Sequence, residues 1–164
     1  MNIRKGRIDD VDKVYRLYKK VSQTEGGIAR FEDEVTEEYV EGFVKNALDD
    51  GVFIVAEKDG DIVGEIHGYK IGIRVFDHVL SNITIVVSPD FCGEGIGKKI
   101  FLKLIEEGKK IEGVSRMELI ARESNKKALK FYESLGFEIE GKMRQRIKNS
   151  KGEFEADILM GIIF

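Results

Sequence analysis

The chain has one cysteine, one proline, no tryptophan and two histidines in 164 residues. The single cysteine, Cys92, excludes an intrachain disulfide framework and a cysteine-rich zinc site. With only His67 and His78 to draw on, a histidine metal cluster is not expected, and no metal is assigned. No apolar run approaches the roughly 20 residues that span a bilayer, so no membrane partner is expected. The opening Met1-Asn2-Ile3-Arg4-Lys5-Gly6 lacks the apolar core of a signal peptide, which makes the cytoplasm the expected compartment. A formal net charge of −3 advertises no basic surface for nucleic acid. There is no Ser/Gly linker, low-complexity tract or internal repeat, and Pro89 is the lone proline. One domain over residues 1–164 is therefore expected, with 42% hydrophobic residues to build its core.

Periodicity supplies the elements. Asn2 to Arg7 is a short first strand. Asp9 or Asp10 caps a helix to about Val21, with Val11, Val14, Tyr15, Tyr18 and Val21 on one face. A polar loop from Ser22 to Glu34 follows. Thr36 caps a second helix whose face is Val40, Phe43, Val44, Ala47 and Leu48, and Gly51 stands just past its end. Val52 to Lys58 and Asp61 to Ile71 flank the hairpin signal Asp59-Gly60. Asp77 to Ser88 is an apolar strand. A helix from about Gly97 to Ile111, a strand Met117 to Ala121 and a helix Asn125 to Leu135 come next. Two closing strands, Phe137 to Lys148 and Glu155 to Phe164, turn at Asn149-Ser150-Lys151-Gly152. The order β-α-α-β-β-β-α-β-α-β-β points to an α/β (α+β) fold, a mixed sheet with helices on both faces.

The densest signal is Cys92-Gly93-Glu94-Gly95-Ile96-Gly97-Lys98, between the strand run Ile83-Thr84-Ile85-Val86-Val87 and a helix. Glycines let backbone N–H groups converge there, and a helix N-terminus adds partial positive charge, so a phosphate is a natural ligand. A nucleoside triphosphate loop would need glycine where Cys92 stands and a metal-binding hydroxyl where Lys99 stands. A dinucleotide fingerprint would need another glycine spacing beside the first strand of its unit. An ordinary tight strand-to-helix connection is the plain alternative.

A second motif lies thirty residues on. Asn125 to Phe137 reads N-x-x-A-x-x-x-Y-x-x-x-G-F, with Asn125 and Tyr132 two helical turns apart and Ala128 leaving room between them. Taken singly, Tyr132 also fits a core aromatic and Asn125 a helix cap. Together the two motifs resemble the GCN5-related N-acetyltransferase (GNAT) superfamily, closely over Ile83 to Phe137 and in element order over the whole chain. The resemblance implies a central, mostly antiparallel sheet of about seven strands. Cys92 departs from the pattern, standing where the family usually has Gln or Arg.

The resemblance also implies a chemistry, in which acetyl-CoA or another acyl-CoA is the co-substrate and a primary amine attacks its thioester directly. By position, the amides of Gly93, Gly95, Ile96, Gly97 and Lys98 would hold the pyrophosphate, with Cys92 and Glu94 in the same turn. Ile85, Val86 and Val87 would pair with the pantetheine arm as an added strand. The N–H of Val87 or a near neighbour would polarise the thioester carbonyl. Asn125 would hold the arm, and Tyr132 would protonate the departing thiolate. No acid stands on the strand before the turn, so His78, Glu65 or a water chain are the candidate bases. Cys92 has no histidine nearby in sequence to make it a nucleophile. Acceptor choice falls to Glu25, Glu32, Asp33 and Glu34 in the first helix–helix loop and to Arg144, Arg146 and Lys148 near the end. These suit a small-molecule or peptide amine, although solvated surface is the preferred reading of most of them. A homodimer through the last strands is a further expectation. The rival reading is a non-catalytic acyl-CoA-sensing or interaction domain.

Overall fold

The structure, a computed structural model, describes every residue from Met1 to Phe164. Its elements are β1 (Asn2–Lys5), α1 (Val11–Ser22), α2 (Glu37–Asp50), β2 (Gly51–Lys58), β3 (Asp61–Tyr69), β4 (Val79–Val87), α3 (Ile96–Gly108), β5 (Arg116–Arg122), α4 (Lys126–Ser134), β6 (Glu138–Lys148) and β7 (Phe154–Ile163). The expected order holds throughout. One seven-stranded sheet runs β1-β2-β3-β4-β5-β7-β6, antiparallel at every pairing except the parallel pair β4/β5.

Strand alternation sends β2 and β3 side chains to two separate cores. On one face Ile54, Ala56, Val63 and Ile66 meet Ile100, Phe101 and Leu104 of α3 and Leu129 and Tyr132 of α4. On the other, Phe53, Val55, Ile62 and Val86 meet Val14, Leu17, Tyr18 and Val21 of α1 and Val40, Phe43, Val44 and Ala47 of α2. Helices thus cover both faces. Thr36 Oγ1 accepts from the Tyr39 N–H at 3.1 Å and starts α2, as its sequence signal implied.

Three details differ from the periodicity reading. Leu48, placed on the inner face of α2, is exposed, because the apolar stripe ends at Ala47 as α2 leaves the sheet. The third helix stops at Gly108, so Ile111 lies in the following turn. Gly51 is not a left-handed helix stop; its φ is −171°, extended backbone opening β2. Glycine is required there for another reason. A Cβ on Gly51 would lie 2.2 Å from the Gly68 carbonyl oxygen and 2.7 Å from the Tyr69 Cα on β3.

The parallel pair β4/β5 positions the site. It consists of only two register pairs, Val79 with Arg116 and Leu80 with Met117. Beyond them β4 continues against β3, and β5 continues against β7 as far as Arg122. The sheet therefore opens between the two strands. At the start of the opening Asn82 takes φ +52°, a left-handed conformation that asparagine tolerates better than most residues.

Candidate functional site

The N-terminus of α3 stands at the end of β4, across a short 3₁₀ turn, Pro89–Phe91. Gly93 and Gly95 have φ of +92° and +73°, which fold the chain back on itself before the helix. Gly95 is the N-cap of α3, and its carbonyl accepts the first helical bond, from Lys99 at 3.2 Å. The N–H of Cys92 bonds Pro89 O and that of Glu94 bonds Phe91 O. The N–H groups of Gly93, Gly95, Ile96, Gly97 and Lys98 have no backbone acceptor. Space is open above both left-handed glycines, where an added Cβ would find no atom within 4 Å. Five free donors in an open turn at a helix N-terminus fit a diphosphate. Cys92 is exposed, its thiol 3.8 Å from the Ser88 carbonyl.

The open edge of β4 leads into that turn. The Ser88 N–H bonds Val63 O at 2.9 Å. The β3/β4 register pairs Glu65 with Val86 and His67 with Thr84. Antiparallel ladders point alternate residues at their partner. Val86 and Thr84 therefore address β3, whereas the N–H and C=O of Val87 and Ile85 face the opening toward β5. The side chains of Ile85 and Val87 pack on the α3/α4 core.

Tyr132 projects from α4 into that same core, 8% exposed. Its ring lies 5.1 Å from Phe101, 5.6 Å from Phe131 and 6.1 Å from Phe137. Burial pushes the phenol up to about 12, so it stays protonated at neutral pH. The hydroxyl has no protein partner, and since no buried polar side-chain atom lacks one, it reaches the surface. Asn125 is the α4 N-cap, one residue before the helix, and its Oδ1 accepts from the Ala128 N–H at 3.1 Å.

The candidate bases fall in different places. His78 is exposed just before β4, and its carbonyl takes the N–H groups of Ser115 and Arg116 at the closed end of the strand pair. Seven residue steps along the extended chain separate it from Ile85, roughly 20 Å. Glu65 is wholly buried on the α1/α2 face. Its carboxylate accepts from the Tyr18 hydroxyl at 2.7 Å and meets His67 Nδ1 at 2.9 Å. The His67 ring stacks on Phe43 at 4.1 Å. Sequence reading missed His67 and Tyr18. The spacing Glu65-x-His67 places both on one strand face, but nothing in it says that a tyrosine 47 residues earlier would complete the group.

The two expected acceptor segments meet. A groove of about 880 Å³ lies between the loop from Ser22 to Glu34 and the β6/β7 hairpin, and Glu25, Glu32, Glu34, Arg146 and Lys148 line it. Asp33 and Arg144 do not. Arg30, Arg122 and Asp157 join the lining, which carries both signs of charge. Arg122 donates to the Ile28 carbonyl at 3.2 Å and so ties loop to strand. Arg30 lies 3.8 Å above the Tyr39 ring. Burial raises the Asp157 carboxyl above its ordinary value, against the opposing pull of Arg146 and Arg122.

A sequence model described as the acetyltransferase (GNAT) family matches residues 11–137. An uncharacterized N-acetyltransferase of Methanocaldococcus jannaschii is 39% identical over 92 residues, 50% of this chain and 40% of that protein. The chain spans between 40% and 60% of the length of the curated relatives it matches. Among solved structures, a GNAT-family acetyltransferase from Streptococcus pneumoniae superposes with a TM-score of 0.89 at 24% identity, over 99% of each chain. An acetyltransferase from Salmonella typhimurium, solved with its cofactor acetyl-CoA, superposes with a TM-score of 0.87 at 20% identity, over 99% of this chain and 93% of that one. With both motifs in the opened sheet and the family's sequence pattern running from Val11 to Phe137, the chain belongs to the acetyltransferase (GNAT) family.

Proposed function

We propose that the chain transfers acetyl from acetyl-CoA to a primary amine by direct attack in a ternary complex. The observation that carries this reading is the line of unpaired backbone groups. Five amides without a backbone acceptor stand at the start of α3, and the edge of β4 beside them leaves Ile85 and Val87 unpaired toward the opening. A ligand with a diphosphate joined to an amide-bearing arm matches both parts at once.

In this reading the amides of Gly93, Gly95, Ile96, Gly97 and Lys98 hold the diphosphate. The thiol of Cys92 and the carboxylate of Glu94 flank it. The pantetheine arm pairs with the main chain of Ile85 and Val87, whose N–H groups are the available donors to the thioester carbonyl. Val86 turns its main chain away and serves the neighbouring strand. Asn125 spends Oδ1 on its cap and retains its amide nitrogen as a donor to the arm. Tyr132, neutral at every physiological pH, donates its proton to the departing thiolate.

The mixed charge of the groove supports an acceptor bearing both ammonium and carboxylate, such as an amino acid or a short peptide. The acids would hold the first and Arg122 or Arg146 the second. A thiol-release assay with acetyl-CoA across amino acids, polyamines, aminoglycosides and short peptides tests the reading. Release with an amine of any of these classes is expected. Tight acetyl-CoA binding without release from any acceptor would instead leave a sensing domain.

A further inference from the structure

The buried trio on the α1/α2 face has no role in the steps above, yet its arrangement is that of an oriented base. Glu65 and His67 are 0% and 3% exposed. A carboxylate placed there without partners would be strongly disfavoured. Instead Tyr18 donates to one oxygen at 2.7 Å and the His67 ring meets the other at 2.9 Å through Nδ1. An anionic carboxylate only accepts, so the proton of a neutral imidazole belongs on Nδ1 and the lone pair on Nε2. Phe43 holds the ring plane from one side at 4.1 Å, and Tyr69 lies parallel at 6.0 Å. Nε2 has no protein partner and is not a buried orphan, so it reaches the surface.

The position is equally specific. His67 pairs across the ladder with Thr84, which shares its face and is half-buried. Thr84 precedes Ile85, whose N–H faces the opening. One strand spacing, about 4.8 Å, separates β3 from β4. The α3/α4 side of β4 is filled by core, so an amine must approach the opening from the side His67 occupies. We propose that His67 is the general base of the transfer, with Glu65 and Tyr18 as its positioning residues. This assignment rests on the transferase reading.

The step balances. An ammonium acceptor gives one proton to Nε2, directly or through one water, and its nitrogen forms the C–N bond to the thioester carbonyl carbon. The C–S bond breaks with its electron pair on sulfur, which takes the Tyr132 proton. The second proton of the acceptor nitrogen restores the phenol, and His67 releases its proton to solvent. The groups around His67 that titrate or carry charge are Glu65 and Tyr69 on its own strand, Tyr18 from α1, Tyr39 from α2 and Arg30 from the loop between those helices. β4 adds only the uncharged Thr84.

The test combines kinetics with ¹⁵N-histidine NMR. The substitution His67→Gln should lower kcat about 100-fold or more. It should leave the acetyl-CoA Kd within twofold, which also shows that the variant folds. Glu65→Gln should keep acetyl-CoA binding and lower kcat about tenfold, because the tautomer is no longer enforced. An unchanged kcat in folded His67→Gln, beside an active wild type, would overturn the base assignment. Silence of the wild type with every amine would overturn the transferase reading instead. The spectrum needs no turnover. It should show neutral His67 protonated on Nδ1, and a proton on Nε2 would sink the proposal whatever the kinetics.

Discussion

Tyr132→Phe isolates one oxygen. The ring stays, with its contacts to Phe101, Phe131 and Phe137, so the core loses no volume. The hydroxyl has no protein partner, so its removal orphans nothing, and stability at pH 7 should change by less than about 1 kcal/mol. Acetyl-CoA affinity, which the proposed function assigns to backbone donors elsewhere, should hold within twofold by calorimetry. Turnover should fall by about 10²–10⁴, which is about 3–5 kcal/mol on the barrier. A second signature lies at alkaline pH. Burial disfavours the phenolate and raises the folded value to about 12, so the unfolded phenol ionises first, near 10. The contribution is therefore fully present below pH 10 and is lost as pH rises toward 12, by about 2.7 kcal/mol at the limit. In urea unfolding at pH 11, the wild type should lose about 1.4 kcal/mol that Tyr132→Phe does not. Thiol release at the wild-type rate would refute the acid role. Identical alkaline slopes would refute the burial argument.

Three further outcomes follow from the geometry. Gly95→Val should weaken acetyl-CoA binding at least tenfold in calorimetry and cost about 1–2 kcal/mol in a thermal melt, because φ is +73° and the new side chain enters the open space proposed for the diphosphate. Gly51→Ala should destabilise by about 2–3 kcal/mol in urea while leaving the acetyl-CoA Kd unchanged, since β2 and β3 backbones must part. Glu107 is held down to about 2 by hydrogen bonds from Lys110 and Lys5, with Lys103 adding to them. Its stabilisation is therefore present above about pH 4.5 and lost as pH falls toward 2. Glu107→Gln should cost under about 1 kcal/mol at pH 7, and its urea midpoint should converge on the wild-type value in acid.

Much of this was legible in the chain by itself. Local rules carried it. The 3.6-residue stripes of α1 to α4 and the Asp59-Gly60 hairpin signal between β2 and β3 placed these elements in order, because each helix must present one apolar face and Asp-Gly suits a tight turn. The glycine turn was readable because free amides at a helix start depend on backbone conformation, which Gly93 and Gly95 report directly. Tyr132 and Asn125 were readable as a spaced pair, although only the fold shows Asn125 spending its oxygen on a cap. Tertiary structure decided what depends on distant partners. That β4 and β5 pair for only two residues, and so leave Ile85 and Val87 facing an opening, is a property of two strands thirty residues apart. Tyr18, Glu65 and His67 meet because α1 packs on β3, and no local signal carries a contact across 47 residues of chain. Gly51 makes the same point, since what excludes a side chain there is the backbone of β3, not the end of its own helix.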